Sequence, residues 1–154
     1  MGSFKERKNI KLNQLSNDIL KIWEEENTFK KSVENRSEKK PFVFYEGPPS
    51  SNGLPGIHHV MARALKDVFC RYKTLKGFRV NRKAGWDTHG LPVELGVEKE
   101  LGITKEDIGS KISVEEYNAA CKKAVMKYTD VWNDLTKKMG YWVDTNNPYV
   151  TYDN

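Results

Sequence analysis

At 154 residues the chain falls in the range of one ordinary domain, long enough to bury a core without help from disulfides or metals. Lys and Arg number 26 against 21 Asp and Glu, with a pI of about 9.1, so the surface leans basic while carrying both signs, which permits a polyanionic partner without requiring one. Cys70 and Cys121 are too few and too far apart for a disulfide framework, no C-x-x-C pair suggests a metal, and no apolar run approaches the roughly twenty residues that cross a bilayer; the expectation is a reduced, cytoplasmic protein with no membrane segment and no secretory leader.

The basic cluster Lys5 to Lys11, "KERKNIK", reads as a solvated tail. From Leu12 the residues Leu12, Leu15, Ile19, Ile22, Trp23 and Phe29 recur at three- and four-residue steps, which predicts one amphipathic helix, followed by the charged linker "VENRSEKKP". Phe42 to Tyr45 is a short apolar run stopped by Gly47, Pro48 and Pro49, as expected of a strand buried on both faces of a parallel sheet. After a Pro- and Gly-rich loop, His58, Met61, Ala62, Leu65, Phe69 and Tyr72 lie along one face of a second helix that should end near Leu75, with Gly77 supplying a left-handed stop. Phe78 to Lys83 reads as the next strand, and the loop "AGWDTHGLP" follows. Strand, loop, helix and strand in about forty residues make a βαβ unit.

Val93 to Leu101 predicts a short helix and "ITKEDIG" a turn or another short helix. Ser113 and Glu116 form an S-x-x-E capping box before Val114, Tyr117, Cys121, Val125, Tyr128, Trp132, Leu135 and Met139, which read as one long helix closed by Gly140. The ending "YWVDTNNPYVTYDN" reads as aromatic and turn-rich. The fold class is therefore α/β, with a Rossmann-like parallel sheet and flanking helices; residues 1–40 form an amino-terminal helical extension and 41–154 the sheet-bearing part.

Ligands of parallel α/β sheets sit at the carboxyl ends of the strands, so the loops Glu46 to Gly56 and Ala84 to Pro92 should wall one site. The first loop runs into a helix, whose free N–H groups and positive dipole end suit a phosphate, and His58 and His59 add donors. There is no Walker loop and no G-x-G-x-x-G fingerprint. Taken alone, the histidines, Asp87 and His89 are also consistent with ordinary surface or cap residues, and Trp86 with core; the placement of both loops at one edge favours a site.

"GPPSSNGLPGIHH" followed by "LKDVFCRYKTLKGFRVNRKAGWDTHGLPVE" resembles the amino-terminal half of the catalytic domain of a class I aminoacyl-tRNA synthetase, in its isoleucyl branch. Leucyl members carry a "GWDAFGLP"-like segment and valyl members the order "TDHAG". The resemblance implies activation of L-isoleucine by ATP, with Mg²⁺ accompanying the nucleotide, and transfer to tRNA(Ile) by a monomeric, cytoplasmic enzyme. It implies ATP contacts at Gly56, His58, His59 and Asn52, with His59 and His58 stabilising phosphate charge, and amino-acid contacts at Gly47, Pro48, Asp87 and His89, Asp87 holding the α-ammonium. The family signature H-x-G-H aligns with Gly56-Ile57-His58-His59, where the first and third positions look exchanged, so His58 either turns from the nucleotide or replaces the missing imidazole. The second family signature, K-M-S-K-S, does not occur, "KKMGYW" reading as a helix end, and the expectation is a fragment of a larger enzyme. The alternatives are a fragment that binds ATP or an adenylate without turnover, and another nucleotidyl transferase of the same superfamily.

Overall fold

The computed structural model describes residues 9–44 and 46–153, so most of the Lys5 to Lys11 cluster and Tyr45 lie outside the described residues. The first amphipathic pattern folds as two helices, α1 (Leu12–Glu25) and α2 (Thr28–Glu34). The break falls at Asn27, whose φ of 53° puts it in the left-handed region that Asn tolerates better than most residues. No residue of α1 or α2 is buried. They dock instead through an aromatic clamp: the Arg71 guanidinium lies 3.9 Å from the centre of the Trp142 ring and 5.1 Å from that of Trp23, and the two indoles meet edge-on at 5.1 Å. Arg36 adds a bond of 3.0 Å to the carbonyl of Thr74.

The βαβ unit is present at the level of backbone pairing. Pro41 bridges Arg79 in parallel, with Phe42 N–H donating to Arg79 O and Arg79 N–H to Lys40 O, each at 2.9 Å, and helix α3 (Ile57–Leu75) runs between them. Among the described residues the predicted strand from Phe42 does not extend beyond that bridge. Val43 is 67% exposed, so this segment lacks cover on the second face that a fully buried strand needs. The regular ladder begins later than Phe78: β1 is Lys83–Trp86, and it takes in residues that the sequence pattern assigns to a loop.

Its partner is the segment read as turn-rich. β2 (Asp144–Val150) pairs parallel to β1, Lys83 with Asp144, Gly85 with Tyr149 and Trp86 with Val150. Between Lys83 and Gly85 the partner advances from Asp144 to Tyr149, so β2 bulges there, and the bulge contains Pro148, which has no N–H to give to a ladder. The Asn and Pro residues that signalled a turn mark this irregularity.

Helix α4 (Leu91–Leu101) follows β1 and stops at Gly102, with φ of 66°; a 3-10 turn covers Lys105–Asp107. The predicted long helix is divided into α5 (Val114–Val125), capped by Ser113 and Glu116 as expected, and α6 (Thr129–Lys138). Ser51 causes the division. Its hydroxyl donates to Val125 O at 2.5 Å while its carbonyl accepts from Tyr128 N–H at 3.1 Å, so the loop that precedes α3 inserts where helical bonds would continue. The core gathers Cys70, Val80, Trp86, Val97, Val125 and Trp132, each at most 4% exposed.

Helix α3 buries the face opposite its apolar stripe. Arg63, Cys70 and Thr74 are its buried residues, whereas Ile57, Met61, Leu65, Val68, Phe69, Tyr72 and Leu75 are all more than half exposed. A contiguous apolar strip along five turns of helix is far from what an isolated domain presents to water. Among the described residues no helix is long and apolar enough to cross a membrane.

Candidate functional site

The loop from Glu46 to Gly56 is fixed at several points. Glu46 is buried, and its carboxylate accepts bonds from Lys66 Nζ and from the Tyr141 hydroxyl, while its carbonyl accepts from Tyr149 Oη at 2.8 Å. Lys66 Nζ also lies 3.3 Å from Gly47 O. Burial, then the Glu46 carboxylate, push the Tyr141 hydroxyl above the ordinary tyrosine range, so it stays a donor. Arg63, itself buried, donates to Thr136 Oγ1 at 2.7 Å and stands 4.9 Å over the Trp132 ring. A cavity of about 10 Å³ lined by Glu46, Pro49, Arg63, Gly85, Trp86 and Tyr141 has room for one water at most. Further along, Asn52 Oδ1 accepts from Ser50 Oγ at 3.1 Å, and Trp132 Nε1–H donates to Gly53 O at 2.9 Å.

At the start of α3 the N–H of Gly56 donates to Nδ1 of His59 at 2.9 Å, one half of a capping box in which histidine takes the role of Glu or Gln. The His58 and His59 rings lie 3.8 Å apart, and His59 meets the Trp132 indole edge-on at 4.7 Å. Burial lowers the His59 pKa from 6.5, and the neighbouring His58 and Arg63 lower it further. The ring is thus neutral near pH 7; because Nδ1 accepts, the proton belongs on Nε2, which is left as a donor. His58 is exposed and folds back over Gly56: a β-carbon at Gly56 would stand 2.9 Å from His58 Cε1 and 3.0 Å from Nδ1.

The second loop leaves the carboxyl end of β1. Asp87 N–H donates to Pro49 O at 2.9 Å, which joins the two loops directly. The Asp87 carboxylate is exposed and makes no hydrogen bond or ion pair among the described residues. Thr88 N–H donates to Thr151 Oγ1 at 3.0 Å, and the same hydroxyl lies 2.8 Å from His89 Nδ1; Thr151 N–H in turn donates to Trp86 O at 3.1 Å. His89 is therefore tied to the carboxyl end of β2, with no bond to the histidine pair or to Asn52.

The structure brings some of the predicted residues into two groups and leaves Asn52, bonded to Ser50, and His89, bonded to Thr151, outside both. Gly56, His58 and His59 form one at the helix start, and Gly47, Pro48 and Asp87 form the other around the bond from Asp87 to Pro49. Sequence reasoning missed Trp132, Thr151 and Glu46. Trp132 sits at an ordinary apolar position of a helical pattern, and Thr151 lies in the segment read as turns. Glu46 carried a signal: a lone carboxylate between an apolar run and Gly47-Pro48 needs a partner if buried.

A family model described as tRNA synthetases class I (I, L, M and V) matches residues 18–154. The chain belongs to this family. It is 66% identical over 151 residues to the isoleucine–tRNA ligase of Porphyromonas gingivalis, covering 98% of the chain and 13% of that protein. To the isoleucine–tRNA ligase of Cytophaga hutchinsonii it is 60% identical over 147 residues, or 96% of the chain and 13% of the relative. The chain thus spans about 13% of the length of these curated relatives. Among solved structures it is similar to the LeuRS of Agrobacterium radiobacter K84, in a ternary complex with tRNA and LeuAMS, with a TM-score of 0.62 and 22% identity over 90% of this chain and 15% of that one. That likeness bears out the α/β fold with parallel strands and flanking helices.

Proposed function

We propose that this chain is the part of an isoleucine–tRNA ligase that forms one wall of its aminoacyl-adenylate site, with 1–40 a helical extension and 41–154 the first half of the catalytic domain. The observation that carries the reading is the bond from Asp87 N–H to Pro49 O, because it couples an unpaired carboxylate to the loop that runs into the histidine-bearing helix start. In this reading Asp87 takes the α-ammonium of L-isoleucine in a charge-assisted bond, with Gly47 and Pro48 beside the side chain and His89 bordering the same side. The carboxylate is thereby aimed at the α-phosphorus of ATP, which is taken as its Mg²⁺ complex.

The carboxylate oxygen forms the new bond to phosphorus and pyrophosphate leaves, so the protein supplies mainly orientation and charge stabilisation. Gly56, Asn52 and the free N–H groups at the start of α3 face the nucleotide. His59 donates through Nε2, and His58 stands beside it. Transfer to tRNA(Ile), and action as a cytoplasmic monomer, belong to the whole enzyme. The uncovered apolar strip of α3 supports the same reading, since a chain seven or so times longer has the surface to cover it. That strip also favours a second reading for the chain on its own, adenylate binding without turnover.

The test is calorimetric titration with a non-hydrolysable isoleucyl-adenylate analogue, its leucyl and valyl counterparts, and ATP. The isoleucyl analogue should bind most tightly. Asp87→Ala should weaken it about 10- to 100-fold, the worth of one charge-assisted bond, while ATP alone changes little. Equal losses for the analogue and ATP would remove Asp87 from the amino-acid side.

A further inference from the structure

We propose that Trp132 is a positioning residue for the nucleotide side of the site, one indole from α6 holding both the loop that precedes α3 and the ring of His59. The inference rests on the reading of the α3 start as the nucleotide side, and goes beyond it by assigning work to a helix some eighty residues away in the chain.

Three contacts carry it. Trp132 is 1% exposed, yet its polar edge is not spent in the core: Nε1–H donates to Gly53 O at 2.9 Å and so ties down the loop four residues before the first residue of the helix. Its ring packs nearly at right angles to that of His59, centroids 4.7 Å apart, on an imidazole already anchored through Nδ1 to Gly56 N–H. A ring held by a hydrogen bond at one nitrogen and by packing against the indole has one orientation, and the remaining Nε2–H points in one direction. The indole also lies 4.9 Å from the Arg63 guanidinium, a buried cation fixed by Thr136, a residue of α6 itself. Trp132 therefore cannot shift without moving a buried charge. The charged or titratable groups facing His59 are His58 and Arg63, both on α3; Trp132 from α6 and Gly56 from the loop are uncharged.

The two contacts are separable. Trp132→Phe keeps a ring against His59 and removes the bond to Gly53; Trp132→Leu removes the ring as well. Because the chain has only three histidines, each can be followed by nuclear magnetic resonance in the 154-residue protein. In Trp132→Leu the titration midpoint of His59 should rise, since water reaches a ring that burial had kept neutral, and its preference for the Nε2–H tautomer should weaken as the freed Gly53 loosens the loop that carries the Gly56 N–H. His89, held by Thr151, should not change, which a general loosening of the fold would not spare. In Trp132→Phe the His59 midpoint should stay near that of the parent, while ATP binding, followed by the same signals, weakens about fivefold through the freed loop.

An unchanged His59 midpoint and tautomer in folded Trp132→Leu would overturn the proposal. Should neither variant fold, the parent chain decides: the Trp132 indole N–H should exchange slowly and move together with His59 on addition of ATP. Fast exchange of that proton, or no response to ATP while His59 responds, also overturns it. If ATP moves neither His59 nor the loop, the nucleotide reading of α3 fails, and the coupling of Trp132 to His59 still stands or falls on the titration.

Discussion

Glu46→Ala should cost this chain about 3 kcal/mol, and the way that cost divides tests whether the buried carboxylate anchors the amino-acid loop. The Glu46 side chain is 4% exposed and receives two donors, Lys66 Nζ and the Tyr141 hydroxyl. Removing it leaves the Tyr141 hydroxyl, on a residue 5% exposed, without a partner, which costs about 1–3 kcal/mol. Lys66 is 27% exposed and can turn toward water, so its lost ion pair is discounted to about 1 kcal/mol or less. The small space left by the carboxyl group adds a fraction of that. Tyr141→Phe should cost only about 1 kcal/mol, because Glu46 keeps Lys66. The double variant should then cost less than the sum of the two, by about 1 kcal/mol or more, since no hydroxyl is stranded. Urea unfolding with a common slope for all four proteins measures these terms. If Glu46→Ala costs no more than Tyr141→Phe, or the two simply add, the network is incidental and Gly47 is held by something else.

Gly85→Ala would drive its methyl group into the Tyr149 ring, and because that ring also bonds the carbonyl of Glu46 it cannot swing away freely; a loss of about 2 kcal/mol in urea unfolding is expected, and Tyr149→Ala in the same chain should remove the clash. His59 has a folded pKa below its unfolded value near 6.5, so the unfolded chain takes up that proton first as pH falls. Its contribution is therefore complete above about pH 6.5 and is lost progressively below it; the stability difference between the parent and His59→Gln, measured from pH 7.5 to pH 5, should shrink in that window, glutamine being able to keep the capping bond. A difference that grows toward pH 5 would reverse the sign and refute the burial of that ring. Leu65→Glu and Phe69→Glu, at positions 63% and 66% exposed, should each change the stability of this chain by no more than about 0.5 kcal/mol while reducing self-association in sedimentation velocity. A loss above about 1.5 kcal/mol would mean that the strip is covered after all.

Local patterns served where local physics decides. The caps at Ser113 and Glu116, the stop after Leu75 at Gly77 with φ of 84°, and the helical periods of α1 and α3 follow from side chains within a few residues. The break between α1 and α2 at Asn27 is local but carries no Gly or Pro to announce it, and the other failures involve distant partners. Nothing near Val125 announces a break, because the group that breaks the helix is Ser51, inserted from 74 residues away. Nothing near Asn146 or Pro148 announces a strand, because its pairing partner is β1 and the bulge hides the alternation. The apolar period of α3 named a face correctly, but a period cannot say whether that face meets this chain or the remainder of a longer one.

The exchanged signature at Gly56 and His58 shows how sequence and structure divide the argument about the site. The sequence shows a glycine where an imidazole is expected and an imidazole two residues on, and leaves open whether His58 turns from the helix start or fills in for the missing ring. The space bears only on where the ring lies: a β-carbon at Gly56 would meet the His58 ring at 2.9 Å, so the two positions compete for one volume and a side chain at 56 would have to evict His58. The ring of His58 therefore lies over the first position and against His59, 3.8 Å away, rather than out from the third. The glycine is then a requirement of that histidine, not an independent loss. In the order found here the His58 imidazole sits beside His59, whose pKa is lowered first by burial and then by the nearness of His58 and Arg63, while the bond from Gly56 N–H to Nδ1 leaves Nε2 the donor.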